Sequence, residues 1–312
     1  MLGVERQCLV SVAPALFVLL SASGWIPFET TPQLALPIVG VRFNGSEPYR
    51  MIVDPTVKEI LVDESLVLGT GMKVVKRGEV AEIDYYAEKE TVEVAYLEGF
   101  EAAGVRAPMV RFLLIDGDDT TASDGVKIYG RVGSEFWSAY RVTFYYPRHL
   151  MLVEASPPGE LPPGGVPFDA ARRFLEVPVT VNGKLDGYFI IDPGASHSIV
   201  DRKWARDQHL VDDKATLIKL GTLKIGGLEL GEVPAVLDEM GKLPYRRKGR
   251  QGQQGKTRAV GVLGATLLKK LALTYDFPRS LIWLRSPQPE SSAKPKVESR
   301  SECGGGAPRT DR

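Results

Sequence analysis

The sequence predicts an all-β protein of two duplicated, strand-rich lobes with a few short helices. Three observations carry this: an internal repeat, apolar runs of strand length between turn residues, and a Pro/Gly-rich stretch dividing the chain. The repeat decides the architecture and is read first. Asn44-Gly45 leads through Met51-Ile52-Val53 to Asp54-Pro55, and Asn182-Gly183 leads through Phe189-Ile190-Ile191 to Asp192-Pro193, at an offset of 138 positions both times. Gly130-Arg131-Val132-Gly133 and Val142-Thr143-Phe144-Tyr145-Tyr146-Pro147-Arg148 return as Gly261-Val262-Leu263-Gly264 and Leu273-Thr274-Tyr275-Asp276-Phe277-Pro278-Arg279, at an offset of 131. Each unit therefore places an aspartate at the same strand end.

A chain of 312 residues can build two domains, each with its own core. Apolar content of 44% and charged content of 25% are those of a soluble globular protein. Acidic and basic residues balance at 39 each, so no global field points to nucleic acid or an anionic membrane. The segment 241–258 is locally basic and reads as a solvated loop. Composition sets the boundaries. Residues 1–24 hold Arg6, the apolar run Leu9 to Leu20 and the small residues Ser21-Ala22-Ser23-Gly24, the pattern of an export signal, with an uncleaved anchor as the alternative. Residues 155–172, rich in Pro and Gly, read as a linker, and 286–312 as a disordered tail. The lobes are then 36–154 and 173–285.

Within the lobes the signals are mostly β. Val177 to Val181, Asn182-Gly183 and Tyr188 to Ile191 read as a hairpin, with Lys184 to Gly187 lengthening its turn. Leu217 to Ile225, Leu228 to Leu230 and Ala235 to Leu237 follow as short strands. In the first unit Val92 to Leu97 and Val110 to Ile115 play the same part. Short helices are expected at Ser134 to Tyr140, Ser198 to Gln208 and Ala265 to Leu271.

Cysteine and histidine exclude other chemistries. Cys8 and Cys303 lie in the leading segment and the tail, leaving the lobes without a disulfide or thiolate nucleophile. His149, His197 and His209 are scattered without zinc-ligand spacing and read as surface or turn residues. No metal or cofactor is expected. Asp192 follows a buried apolar pair and precedes Pro193-Gly194, a turn that presents its carboxylate among backbone amides. Asp54 stands at the equivalent point. Packed about a pseudo-twofold axis, the two carboxylates would meet, share a proton and split their pKa values. Such a pair can activate water against a peptide carbonyl. Asp276 reads as a strand-end surface residue.

Tyr188 to Val200, with Ile190-Ile191-Asp192-Pro193-Gly194-Ala195-Ser196 at its centre, resembles the active-site segment of pepsin-like and retropepsin-like aspartic proteases. Ala259-Val260-Gly261-Val262-Leu263-Gly264 resembles the family's second landmark, an apolar pair followed by glycine crossing behind the catalytic loop, and Leu273 to Arg279 its closing strand. The resemblance covers nearly all of 173–285 and more weakly the first unit. It implies a bilobal pepsin-like fold, an endopeptidase using Asp54 and Asp192 without a cofactor, and loop support from Gly194, Ala195 and Ser196. It also implies a cleft-covering hairpin tyrosine, Tyr85 or Tyr86, and a peptide or protein as ligand, with the chain a monomer. Departures stand beside it. Pro55 and Pro193 replace the family's Thr/Ser, whose hydroxyl binds the opposite lobe. Thr56 stands where Gly194 does and resists positive φ. These departures imply the alternative: a non-catalytic relative that binds an extended peptide in the same cleft.

Overall fold

The computed structural model describes residues 19–20, 24–70, 74–85, 88–117, 125–169, 174–212, 214–242 and 259–287. Three sheets organise them: an eight-stranded sheet in each lobe and a six-stranded antiparallel sheet joining the two. At the centre of the joining sheet, Tyr140–Tyr145 pairs with Ala272–Asp276, and Thr143 falls opposite Thr274. These residues are equivalents at the 131 offset, and their hydroxyls lie 3.0 Å apart. A residue that pairs with its own repeat partner marks a pseudo-twofold axis. Outward from the axis the order is symmetric, through Leu150–Ala155 to Ile26–Pro27 on one side and Leu281–Arg285 to Val166–Pro167 on the other.

Alternation explains the strands. Val177, Val179 and Val181 are buried while Pro178 is exposed, and Tyr140–Tyr145 alternates in the same way, the period-two pattern of a half-covered sheet. Tyr146–Arg148 and Phe277–Arg279 then form matching 3-10 turns. His149 and Ser280 close them in the left-handed region at φ 54° and 53°. Asn44-Gly45 and Asn182-Gly183 repeat one turn, all four residues at positive φ, which Asn and Gly adopt most readily.

Several expectations need correction. The hairpin Glu176–Val181 with Leu185–Ile191 has a three-residue turn, because Leu185 to Gly187 already belong to the strand. Ser134 to Tyr140 forms successive i→i+3 turns rather than a helix. Ile199–Asp201 is a strand, and the helix expected from Ser198 starts only at Arg202. A helix absent from the sequence reading, Glu64–Thr70, is its first-lobe twin. The linker also carries structure. Val166-Pro167-Phe168 repeats Ile26-Pro27-Phe28, pairing with Leu281 and Ile282 as the latter pairs with Leu150 and Met151. Phe168 N donates to Ser280 O at 2.9 Å, as Phe28 N does to His149 O. Each unit thus begins before the boundary its composition suggested. Asp276 is fully buried, not a surface residue: Ser156 Oγ donates to its carboxylate at 2.9 Å and Arg279 stands 3.9 Å away. It ties the chain leaving the first lobe to the axis. Residues 1–18 and 21–23, the basic segment 243–258 and the tail from 288 lie outside the described residues; Leu19–Leu20 pairs with Val105 and Arg106.

Asp63 ends the strand Ile60–Asp63 and caps Glu64–Thr70, accepting from Ser65 N at 2.8 Å and facing Lys127 Nζ at 2.5 Å. Its twin Asp201 caps the second helix through Trp204 N, and its other oxygen accepts from Met240 N at 3.1 Å. Burial opposes ionisation of Asp63, but Lys127 and Ser65 hold its carboxyl below the usual range. A depressed folded pKa contributes stability that is present above the unfolded value and lost as pH falls through the folded one. Asp63→Asn should therefore flatten the loss of stability below about pH 4, read by urea midpoints across pH. An acid limb of unchanged slope in the variant would refute this assignment.

Candidate active site

Parallel pairing places each aspartate. Tyr49–Asp54 lies beside Gly130–Gly133, with Ile52 against Arg131 and Asp54 against Gly133. Leu185–Ile191 lies beside Ala259–Leu263 in the same register, with Ile190 against Val262, and Asp192 N donates to Leu263 O at 3.1 Å. Close approach demands glycine behind each loop. A Cβ on Gly133 would sit 2.2 Å from Glu59 O, and one on Gly264 2.3 Å from His197 O. Past the aspartates, Ser134 N donates to Val57 O and Ala265 N to Ala195 O, each at 2.7 Å. The two loops therefore share one backbone frame, which the 138 and 131 offsets map residue for residue.

Asp192 is half-buried, and its Oδ1 accepts from Gly194 N at 2.7 Å. Ala195 N closes the turn onto Asp192 O, and Ser196 Oγ bonds His197 Nδ1 at 2.8 Å. Of the three residues that the resemblance implied as loop support, Gly194 and Ala195 bond Asp192 and Ser196 bonds its neighbour His197. Neither Gly194 nor Thr56 adopts positive φ, so the threonine meets no backbone strain there. Instead Thr56 adds a donor: its N and Oγ1 both reach Asp54 Oδ1, at 2.9 and 2.6 Å. Pro193 does not abolish contact between the halves. Its carbonyl accepts from Ala35 N at 2.7 Å, where the chain enters the first lobe. Lys269 Nζ holds the same entering segment through Thr31 O and Pro32 O.

Below the loops, the joining sheet presents Tyr275 and Tyr146, both buried. Burial raises both phenols above their ordinary range. The charges of Asp54 and Asp192 add to it at Tyr275, and those of Tyr275 and Asp54 at Tyr146. Both aspartates thus bear on one ring. Tyr85 ends the long strand Val74–Tyr85, paired with Glu88 of Glu88–Ala102. Tyr86 lies outside the described residues. Lower on this hairpin, Val92 and Val94 are buried in a cluster against which Val57 packs, so the hairpin rests on the Asp54 loop.

The residue that the sequence reading passed over is Arg131. Its Nη1 donates to Asp54 Oδ2 at 2.9 Å, and both side chains are buried, at 7% and 5% exposure. Asp54 Oδ1 faces two donors and Oδ2 a guanidinium, which carries only donors. The carboxylate is engaged as an acceptor on both oxygens. The signal was present in the repeat: Arg131 aligns with Val262, where the apolar pair requires an aliphatic side chain. Removing one member of a buried ion pair strands the other. Asp54→Ala and Arg131→Ala should each destabilise the protein by about 3–5 kcal/mol, and the double variant by clearly less than their sum. Strict additivity in a double-mutant cycle would show that the pair is not coupled.

No protein-family model matches this sequence, and no curated protein does. Among solved structures it is similar to the aspartic proteinase from Irpex lacteus, with a TM-score of 0.51 and 12% identity over 85% of this chain and 97% of that one. A likeness at that identity shows the fold: an all-β, bilobal, pepsin-like architecture.

Proposed function

We propose that this protein binds an extended polypeptide segment between its lobes without cutting it. The observation that carries this reading is the engagement of Asp54. Hydrolysis by an aspartate pair needs one carboxyl that keeps a proton and one that accepts a proton from water. Here Asp54 Oδ2 faces the Arg131 guanidinium, a group with donors only, where such a pair would place its shared proton. Peptide as the ligand class is supported by likeness to a proteinase and by the hairpin resting on the Asp54 loop.

A second reading, an aspartic-type endopeptidase, is favoured by one observation: Asp54 and Asp192 both bear on the buried Tyr275. The same reading of the sequence takes the chain as an exported monomer. Native mass and amino-terminal sequencing of the exported fraction test those two points.

The readings separate in one experiment. Purified protein is offered a library of unstructured peptides at pH 3 to 7, with binding and new termini both scored. We expect capture of peptides with no new termini, and binding weakened by substitutions at the cleft face of the hairpin. Cleavage that disappears in both Asp54→Asn and Asp192→Asn would instead establish the endopeptidase.

A further inference from the structure

We infer that Arg131 alone silences an otherwise assembled aspartate pair, so that replacing it uncovers peptide hydrolysis. This inference rests on the non-hydrolytic reading above. Three observations converge on it.

First, Arg131 occupies an apolar position. It pairs with Ile52 as Val262 pairs with Ile190, and Val262 is wholly buried beside Ile190, Met240 and Ala259. A charge in such a place needs a counter-charge. Asp54 supplies it.

Second, the frame around the first aspartate does not depend on the arginine side chain. The bond from Ser134 N to Val57 O, the tight approach of Gly133 to Glu59 O and the parallel register all match the second lobe, where valine stands at the equivalent position. A substitution to the repeat partner, valine, therefore gives the first lobe the side chain the second carries there, at the cost of stranding Asp54.

Third, the loops that carry the two aspartates share one backbone frame and are related by the axis that Thr143 and Thr274 mark, the placement a pair requires. Without the guanidinium, Asp54 Oδ2 no longer faces a group that carries only donors. Water would then add to the peptide carbonyl carbon, one proton passing to the ionised carboxylate while the protonated partner gives its proton to the carbonyl oxygen. Collapse breaks the C–N bond as the nitrogen takes a proton. One water and one peptide bond become a carboxyl and an amine.

The test uses the full chain with Arg131→Val and, because valine leaves a smaller side chain in a buried site, Arg131→Gln, which keeps more of the length and a donor without the charge. A reduced and alkylated protein serves as substrate between pH 3 and 7, and new termini are counted by mass spectrometry. Folding of each variant is followed by near-ultraviolet circular dichroism. We expect cleavage in at least one variant at about 100-fold or more above wild type, the scale of general acid–base catalysis, and its loss when Asp192→Asn is added. Folded variants that leave the substrate intact overturn the inference while sparing the non-hydrolytic reading. Aspartate-dependent cleavage by the wild type overturns that reading itself. Cleavage that survives Asp192→Asn overturns the assignment of the activity to this pair.

Discussion

Thr143 and Thr274 meet across the pseudo-twofold axis, and the rest of the molecule is arranged around that meeting. Because Tyr140–Tyr145 and Ala272–Asp276 pair with each other, the two units cannot drift apart without breaking a central ladder. The strands on either side repeat in mirrored order, out to Ile26–Pro27 and Val166–Pro167. Buried Asp276, bonded by Ser156 and faced by Arg279, secures the crossing between units. Phe144 and Tyr275, themselves repeat partners, pack edge to face at 5.8 Å beside the axis. Such a floor fixes where two loops from different lobes must converge.

On that shared floor the halves have diverged in chemistry rather than in backbone. The second loop keeps a glycine amide on Asp192 and an aliphatic residue, Val262, behind it. The first loop surrounds Asp54 with a threonine amide, a threonine hydroxyl and a guanidinium. The backbone bonds of the two loops match, while the guanidinium makes Asp54 the anchor of a buried ion pair. Pro193, which lacks the hydroxyl for a side-chain link to the other lobe, offers its carbonyl to Ala35 instead.

Most of the fold was legible because repetition is a strong signal: Asp54 aligns with Asp192 at an offset of 138 and Gly133 with Gly264 at 131. Much of what escaped has physical reasons. Val166-Pro167-Phe168 is a two-residue edge strand inside a Pro/Gly-rich stretch, and proline at a sheet edge leaves little pattern to read. Ser134 to Tyr140 closes on i→i+3 bonds, whereas its equally pinned twin at Ala265 and Thr266 begins a short helix, a difference that no backbone contact explains. Asp276 reads as polar and therefore exposed; only the crossing chain that brings Ser156 over it makes burial tolerable. Arg131 was visible as a charge in an apolar motif, yet its partner is 77 positions away and becomes evident only once the strands are paired.

Asp54 is bound to Arg131 rather than to a proton shared with Asp192. An atomic-resolution crystal structure of the protein at mildly acidic pH tests it directly. The account predicts Arg131 Nη1 within hydrogen-bond reach of Asp54 Oδ2 and two equal C–O lengths in the Asp54 carboxylate. A water bridging Asp54 and Asp192, with Arg131 turned away and one long C–O bond, would contradict it.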